Sequence, residues 1–371
     1  MSRVPIKGDT SASTNEEYDI LLIQDRLTAP GGGERVAYHI WKEFDCDIVT
    51  GAFEPESTYE FDPLDVTELG GNTFNEFMKA RNSIEWNSYD VAIFSGNRPQ
   101  FSLWRKINIP TIRYCHSPAR VFWSLRDVAY RDSSMIGKLA RHAVAPMYRN
   151  LDRWLAGRHD HILTNSHNIR SQVDRFYGLD ADVLHPPVDT DDYWFKESGD
   201  FWLTVSRLVP KKRIREQIEA FEGTDERLHI VGGVDEQFQE YGEYVTERAK
   251  TAENVKISGF IPDEDLRELY ACCKGVIYFP FYEDFGIVPI EAMASGKPVI
   301  AAAEGGPLET ITNDTTGWLI KPSSDKLQSV ITRQFDIESY RRACQVRARS
   351  FDVDQFCSEL ETHLGNALQT K

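Results

Sequence analysis

The chain is built from short runs rich in β-branched and aromatic residues, each closed by Gly, Ser or Pro and followed by a longer amphipathic stretch. In the first half these runs are DILLIQ (19–24), CDIVTG (46–51), DVAIFSG (90–96), PTIRYCH (110–116), HILTNS (161–166) and DVLHPP (182–187). In the second half they are FWLTVS (201–206), LHIVGG (228–233), NVKISG (254–259), GVIYFP (275–280) and KPVIAA (297–302). Strands apolar on both faces and separated by helical patterns belong to parallel sheets covered by helices on either side. A chain of 371 residues exceeds what one core usually supports, and the polar stretch HPPVDTDDYWFKESGD (185–200) interrupts the alternation. The expectation is an α/β protein of two doubly wound domains, 18–192 and 193–349, with a terminal amphipathic helix over 350–371. Residues 1–17 are polar, lack the apolar centre of a signal peptide and read as a mobile tail.

In open sheets of this kind ligands sit outside the carboxyl ends of the strands, so the residues after each strand are where chemistry is expected. After the first strand, Gly31, Gly32 and Gly33 lead into a helix. Glycines at a helix start let backbone N–H groups approach an anion, although a tight turn alone would look the same. Val36 stands where a dinucleotide fingerprint needs its third glycine, and no Walker lysine pattern is present. After the first strand of the second half comes SRLVPKKRIREQIEAF, with Arg207 at the strand end and Lys212 at the next helix start. These two cations read either as a solvated basic turn or as a counter-charge for a diphosphate. Asp-x-Asp pairs, which could hold a divalent metal, occur at least five times among 58 acidic residues, a number chance can supply, and are given no metal role.

The segment FPFYEDFGIVPIEAMASGKPVI (279–300) places Glu283 in a loop after a strand and Glu291 inside a helix that starts near Pro289 and ends at Gly296. A straight helix would separate the two carboxylates by about 12 Å. A loop between them can instead aim both at different parts of one extended ligand. His116 ends another strand. Asn165 and Ser166 follow a third, and there ligand contact and helix capping remain alternatives.

Taken in order, GGGERV (31–36), YCHSPARVFW (114–123), LTNSHNIR (163–170), VLHPPVD (183–189), SRLVPKK (206–212) and the 279–300 segment make the chain resemble a family-4 retaining glycosyltransferase of the GT-B architecture. The resemblance implies two Rossmann-like domains facing a cleft, an acceptor-binding N-terminal one and a nucleotide-sugar-binding C-terminal one. It implies that Gly32 and Gly33 lie near the donor phosphate and the acceptor, and that Arg207 and Lys212 hold the diphosphate. Glu283 would contact the donor sugar and Glu291 the ribose hydroxyls, while backbone N–H groups of Phe285, Gly286 and Ile287 meet sugar and phosphate oxygens. His116 would lie beside the transferring sugar. The expected chemistry is front-face displacement with no cofactor or metal, with Glu283 giving orientation and electrostatic support. GDP-mannose is the first-choice donor and UDP-sugars the alternative. A sugar-nucleotide 2-epimerase of the same architecture is a rival reading. A noncatalytic glycan-binding or scaffold protein is disfavoured by the presence of Arg207, Lys212 and Glu283.

A net charge of -16 argues against a general nucleic-acid partner and is compatible with a high-salt cytoplasm. Six cysteines without metal-ligand or CxxC spacing suit a reduced, cytoplasmic compartment. Charge is uneven, however: residues 98–175 hold 14 Lys/Arg against 5 Asp/Glu. Within them SSMIGKLARHAVAPMYRNLDRWLAGR (133–158) repeats Ile136, Leu139, Ala143, Met147, Leu151 and Trp154 at helical spacing and gathers Lys138, Arg141, Arg149 and Arg153 on another face. This suggests either a solvated basic face or contact with an anionic membrane or a polyprenyl-linked glycan acceptor. No run reaches the roughly 18 apolar residues of a membrane span, so the expectation is a cytoplasmic protein, at most peripheral.

Overall fold

The computed structural model describes residues 18–124, 135–197 and 199–369, and over 135–143 only the backbone of a helix. The proposed tail 1–17 lies outside the described residues. All eleven sequence runs contain strands, and two more join them. The strands are β1 Ile20–Gln24, β2 Asp47–Thr50, β3 Val66–Glu68, β4 Val91–Ser95, β5 Thr111–Cys115, β6 His161–Thr164 and β7 Asp182–Val183. They continue as β8 Phe201–Val205, β9 Arg227–Val231, β10 Val255–Ile257, β11 Gly275–Tyr278, β12 Val299–Ala302 and β13 Gly317–Ile320. The two absent from the sequence reading are β3, three residues in a polar stretch, and β13, which opens on a glycine. Strand β7 is only two residues long because Pro186 and Pro187 follow closely and cannot donate to a ladder.

The sheets run β3-β2-β1-β4-β5-β6-β7 and β10-β9-β8-β11-β12-β13, with every pairing parallel. Each reverses winding direction once, between β1 and β4 and between β8 and β11. At those two points the connections leave the sheet in opposite senses and a crevice opens outside the strand ends.

The chain divides into two units, the first running to Pro187 and resuming at Phe356, the second Val188–Gln355. The first boundary, set at 192 from sequence, falls at 187 because Val188 is fully buried in the second unit's core and its N–H bonds to the Phe351 carbonyl at 3.0 Å. Thr190 likewise bonds to the Asp352 carboxylate. In the helix Val353–Gln369, Phe356, Leu360, Leu364 and Ala367 repeat at helical spacing and pack into the first unit's core with Ile20, Leu22, Ile40 and Ile93. None of the described helices is long and apolar enough to cross a membrane.

Candidate functional site

In the first unit polar residues at the ends of β4 and β6 meet at His116, which follows β5. Its Nε2 shares a 2.9 Å hydrogen bond with Ser95 Oγ at the end of β4, and the Tyr114 ring centre lies 4.9 Å from the imidazole. Asn165 Nδ2 donates to the His116 carbonyl at 3.0 Å. Ser166, next along, caps the helix His167–Tyr177 by accepting from Ile169 N–H. Of the two sequence alternatives for this pair, capping holds for Ser166, while Asn165 fixes the histidine's backbone. Desolvation depresses the His116 pKa to about 4, so the imidazole is neutral at physiological pH.

Gly31 caps the helix Gly32–Phe44, and a β-carbon at Gly33 would lie 3.5 Å from His116 Nε2, which places the Gly-rich helix start directly beside the imidazole. Asp25, just past β1, accepts from the backbone N–H groups of Asn97 and Arg98 at 3.0 and 2.9 Å. Burial pushes its carboxyl up against these hydrogen bonds and the nearby Arg98 and Arg26 charges. Burial also raises the Glu34 carboxyl. Asp25 and Ser95 were missed in the sequence. Their signal was position alone, each at or just past the carboxyl end of a strand flanking the winding reversal.

In the second unit the equivalent place is held by ions. Lys212, in the turn Pro210–Lys212, bonds Glu283 Oε2 at 2.7 Å, and both side chains are largely buried. The Lys212 ammonium also lies 5.5 Å from the centre of the Tyr278 ring. Arg213 has a left-handed backbone (φ 52°), pairs with Glu304 after β12 and donates to the Phe279 carbonyl. Arg207 pairs with Asp235 at 2.6 Å and keeps about half its side chain (55%) in solvent. Phe281 N–H reaches the Lys211 carbonyl at 2.7 Å and so ties the two post-strand loops together.

The loop carrying Glu283, Phe285, Gly286 and Ile287 enters the helix Val288–Ala294. Gly286 has φ +93° and comes so close to Tyr278 that a β-carbon would lie 2.8 Å from its ring. Gly306 N–H bonds the Glu283 carbonyl at 2.9 Å, so the loop after β12 braces the loop after β11 from below. Phe285 is core, its side chain packed on Phe351 and its backbone against Gly306. Glu291 is 7% exposed and accepts from Tyr270 OH at 2.7 Å, so a buried phenol holds its carboxylate in place. Arg213, Asp235, Tyr278 and Glu304 were missed in the sequence. Arg213 continues the PKKR run and Glu304 follows the strand KPVIAA, but no local pattern pairs loops 91 residues apart.

Several Asp-x-Asp carboxylates have structural work. Asp47 accepts from Tyr89 OH at 2.8 Å, Asp352 is bonded by Thr190, and Asp263 and Asp265 occupy the first turn of the helix Asp263–Cys272.

The helix Met135–Ala156 buries neither the apolar stripe nor the basic one read from its periodicity, but Ala145, Tyr148, Asp152, Leu155 and Ala156; the side chains of Ile136, Leu139 and Ala143 lie outside the described ones. Arg149 donates to the Phe122 carbonyl at 2.7 Å and Arg153 to the Phe176 carbonyl, and both guanidinium groups lie over Trp123. Asp152, fully buried, accepts from Gln100, Trp123 and Tyr177. Of the stripe's described members Met147 is 75% exposed, Leu151 42% and Trp154 48%, and Val144 beside them 54%. Lys138 and Arg141 lie outside the described side chains.

Comparison with known proteins agrees with this arrangement. Residues 191–351 match the family model for glycosyl transferases group 1, and residues 30–192 that for glycosyltransferase family 4. The alpha-1,3/1,6-mannosyltransferase ALG2 of Dictyostelium discoideum is 28% identical over 323 residues, covering 70% of this chain and 74% of its own. Human ALG2 is 28% identical over 280 residues (67% and 65%), and the Saccharomyces cerevisiae protein 31% identical over 221 residues (44% and 44%). The chain thus spans from under half to three quarters of these relatives. Among solved structures, Anabaena HepE in complex with UDP and glucose superposes with a TM-score of 0.72 at 20% identity, covering 94% of this chain and 99% of its own. Thermosynechococcus elongatus sucrose-phosphate synthase gives 0.74 at 18% identity, covering 95% and 100%. With two family models adjoining across residues 30–351 and the doubly wound sheets of the GT-B fold, the chain belongs to the family-4, group 1 glycosyltransferases.

Proposed function

We propose that the protein transfers mannose, with retention of configuration, from a nucleotide-diphospho-sugar to a glycan or lipid-linked glycan acceptor. The Lys212–Glu283 pair at the winding reversal of the second sheet carries the reading. A diphosphate needs fixed positive charge, a sugar hydroxyl needs a carboxylate acceptor, and here the two stand 2.7 Å apart. Mannose as the sugar is supported by the mannosyltransferases among the relatives; GDP-mannose stays the first-choice donor on the resemblance of HSPARVFW and YEDFGIVPIEAMA, with UDP-sugars the alternative. The epimerase alternative loses its ground, since the matching models and the named relatives are transferases.

On donor binding Lys212 and Arg207 exchange their carboxylate partners for phosphate oxygens, and Glu283 turns to the sugar. Arg213, locked to Glu304, keeps the loop in place. As the glycosidic bond breaks, negative charge grows on the departing diphosphate, and these cations stabilise it without calling on a metal. The acceptor proton passes to a donor phosphate oxygen. Neutral His116 stays uncharged throughout and offers a hydrogen bond to the sugar, its ring set by Ser95. Phe285, Gly286 and Ile287 contribute backbone N–H groups, Glu291 the ribose contact, and Gly32 and Gly33 close approach to the donor phosphate and the acceptor.

The test is calorimetry with a panel of nucleotide sugars on wild type and Arg207→Ala. GDP-mannose should bind tightest, and about tenfold more weakly to the variant. Binding of none of them, or equal affinity in the variant, would overturn the assignment. Release of an epimerised donor in the absence of acceptor would restore the isomerase reading.

The acceptor side is proposed to work peripherally at an anionic, cytoplasmic membrane face, supported by the outward apolar stripe Val144, Met147, Leu151 and Trp154 in a basic region. Co-sedimentation with anionic vesicles should fall for Met147→Asp combined with Leu151→Asp. Unchanged co-sedimentation would remove this stripe from the interface.

A further inference from the structure

At the end of the first unit away from His116, a pocket of 450 Å³ lies between the segments that precede β4 and β5, lined among others by Arg81, Trp86, Lys106 and Asn108. It sits at the amino ends of these strands, where an open parallel sheet does not ordinarily bind its substrate. Arg81 stands just after the helix Phe74–Ala80. Its Nη2 donates to the Lys106 carbonyl at 2.9 Å, while Nη1 is buried and has no hydrogen-bond partner. Arg105 lies over Trp104 at 4.3 Å, and Arg158 lies over Trp154 at 4.7 Å with its Nε on the Leu103 carbonyl. Lys106 and Arg158 together line an adjoining depression. Burial and the neighbouring Arg105 and Arg158 charges lower the Arg81 pKa.

Two carboxylates are nearby. Glu85 lies on the exposed rim, and Asp160 already accepts from Thr111 N–H and Oγ1 at 2.9 and 2.8 Å. Among the described residues none of the four cations forms an ion pair. The cations around the Glu283 loop of the second unit, Arg207, Lys212 and Arg213, are paired. In a protein of net charge -16, a set of converging cations, one with a buried idle N–H, is an unbalanced charge that a bound anion would balance.

We infer that this pocket binds a phosphate group, with Arg81 as its central ligand, Lys106 beside it, Trp86 as an apolar wall, and the charges of Arg105 and Arg158 outside the lining adding to the field. The phosphate belongs either to a lipid headgroup or to a free phosphorylated molecule. The site stands apart from the transferase reading and does not depend on it. Inorganic phosphate is titrated calorimetrically into wild type, Arg81→Gln, Lys106→Gln and, as a control for the sugar-nucleotide site, Lys212→Gln. Co-sedimentation of the same proteins is measured with phosphatidylcholine vesicles with and without phosphatidic acid.

Arg81→Gln should weaken phosphate binding about tenfold or more, and Lys106→Gln, an exposed change that leaves the backbone bond to Arg81 intact, about threefold. A parallel loss of binding to phosphatidic acid vesicles identifies a lipid headgroup. Loss of phosphate binding with unchanged vesicle binding identifies a free ligand. Phosphate affinity equal to wild type in both variants, or lost only in Lys212→Gln, overturns the inference.

Discussion

At the ends of β1, β4 and β5 the polar side chains are held by hydrogen bonds rather than ion pairs: Ser95 bonds an uncharged imidazole, and Asp25 accepts from two backbone N–H groups. At the ends of β8, β11 and β12 they meet as ions, Arg207 with Asp235, Lys212 with Glu283 and Arg213 with Glu304. Both places lie where the winding of a parallel sheet reverses, so topology does not set the difference. An ion pair can be exchanged: an arriving diphosphate competes with Glu283 for Lys212, and the displaced carboxylate is free to accept from a sugar hydroxyl. A neutral hydrogen-bonded ring has no such exchange and acts through fixed position. The second unit is therefore suited to exchange its partners for a charged ligand, and the first to hold a neutral one by fixed hydrogen bonds.

The most severe break of this contrast is Lys212→Met, which strands the largely buried Glu283 carboxylate and removes the charge facing the diphosphate. Transfer should fall about 1,000-fold in kcat/KM, roughly 4 kcal/mol. Steady-state kinetics would show this, and a loss under tenfold would mean that the pair is not central. His116→Ala should cost about 100-fold in kcat while calorimetric donor affinity stays within about twofold, because its partner Ser95 belongs to the first unit. A drop in donor affinity of the same size as the drop in rate would blur the division of labour.

The neutral character of the first unit has a pH signature. The pKa of His116 is depressed from 6.5 to about 4, and that of His159 is also lowered by burial and the Arg113 charge. Between these values the unfolded chain binds more protons than the folded one, so stability is complete above about pH 6.5 and declines as pH falls toward 4. The His116 share is on the order of 3 kcal/mol. Urea titrations between pH 7 and pH 4 should show a shallower decline for His116→Asn than for wild type. Parallel curves would mean that the imidazole is not desolvated. The smallest effect belongs to Gly33→Ala. Its methyl would meet His116 at 3.5 Å, an ordinary contact, and should change kcat/KM only about threefold.

Eleven of thirteen strands were legible because fully apolar runs with abrupt Gly or Pro ends leave few alternatives. Strands β3 and β13 were not, since three residues of VTE or a strand opening on Gly317 carry too little pattern to stand out. Individual site positions were legible where they followed a strand, as with His116, Arg207 and Glu283. Their partners Ser95, Asp235 and Glu304 were not, because pairing between distant loops is fixed only once the sheet aligns the strand ends. The Met135–Ala156 helix shows the same limit from the other side: its periodicity was read correctly, but which face turns inward was decided by Trp123 and Phe176, far from it in sequence.

The helix Val353–Gln369 completes a core that the first 187 residues begin. During synthesis the ribosome delivers β1 through β7 early, yet the surface over Ile20, Leu22 and Ile93 waits uncovered while all of Val188–Gln355 is made. The second unit can therefore close while the first still lacks Phe356, Leu360 and Leu364, although it is encoded later.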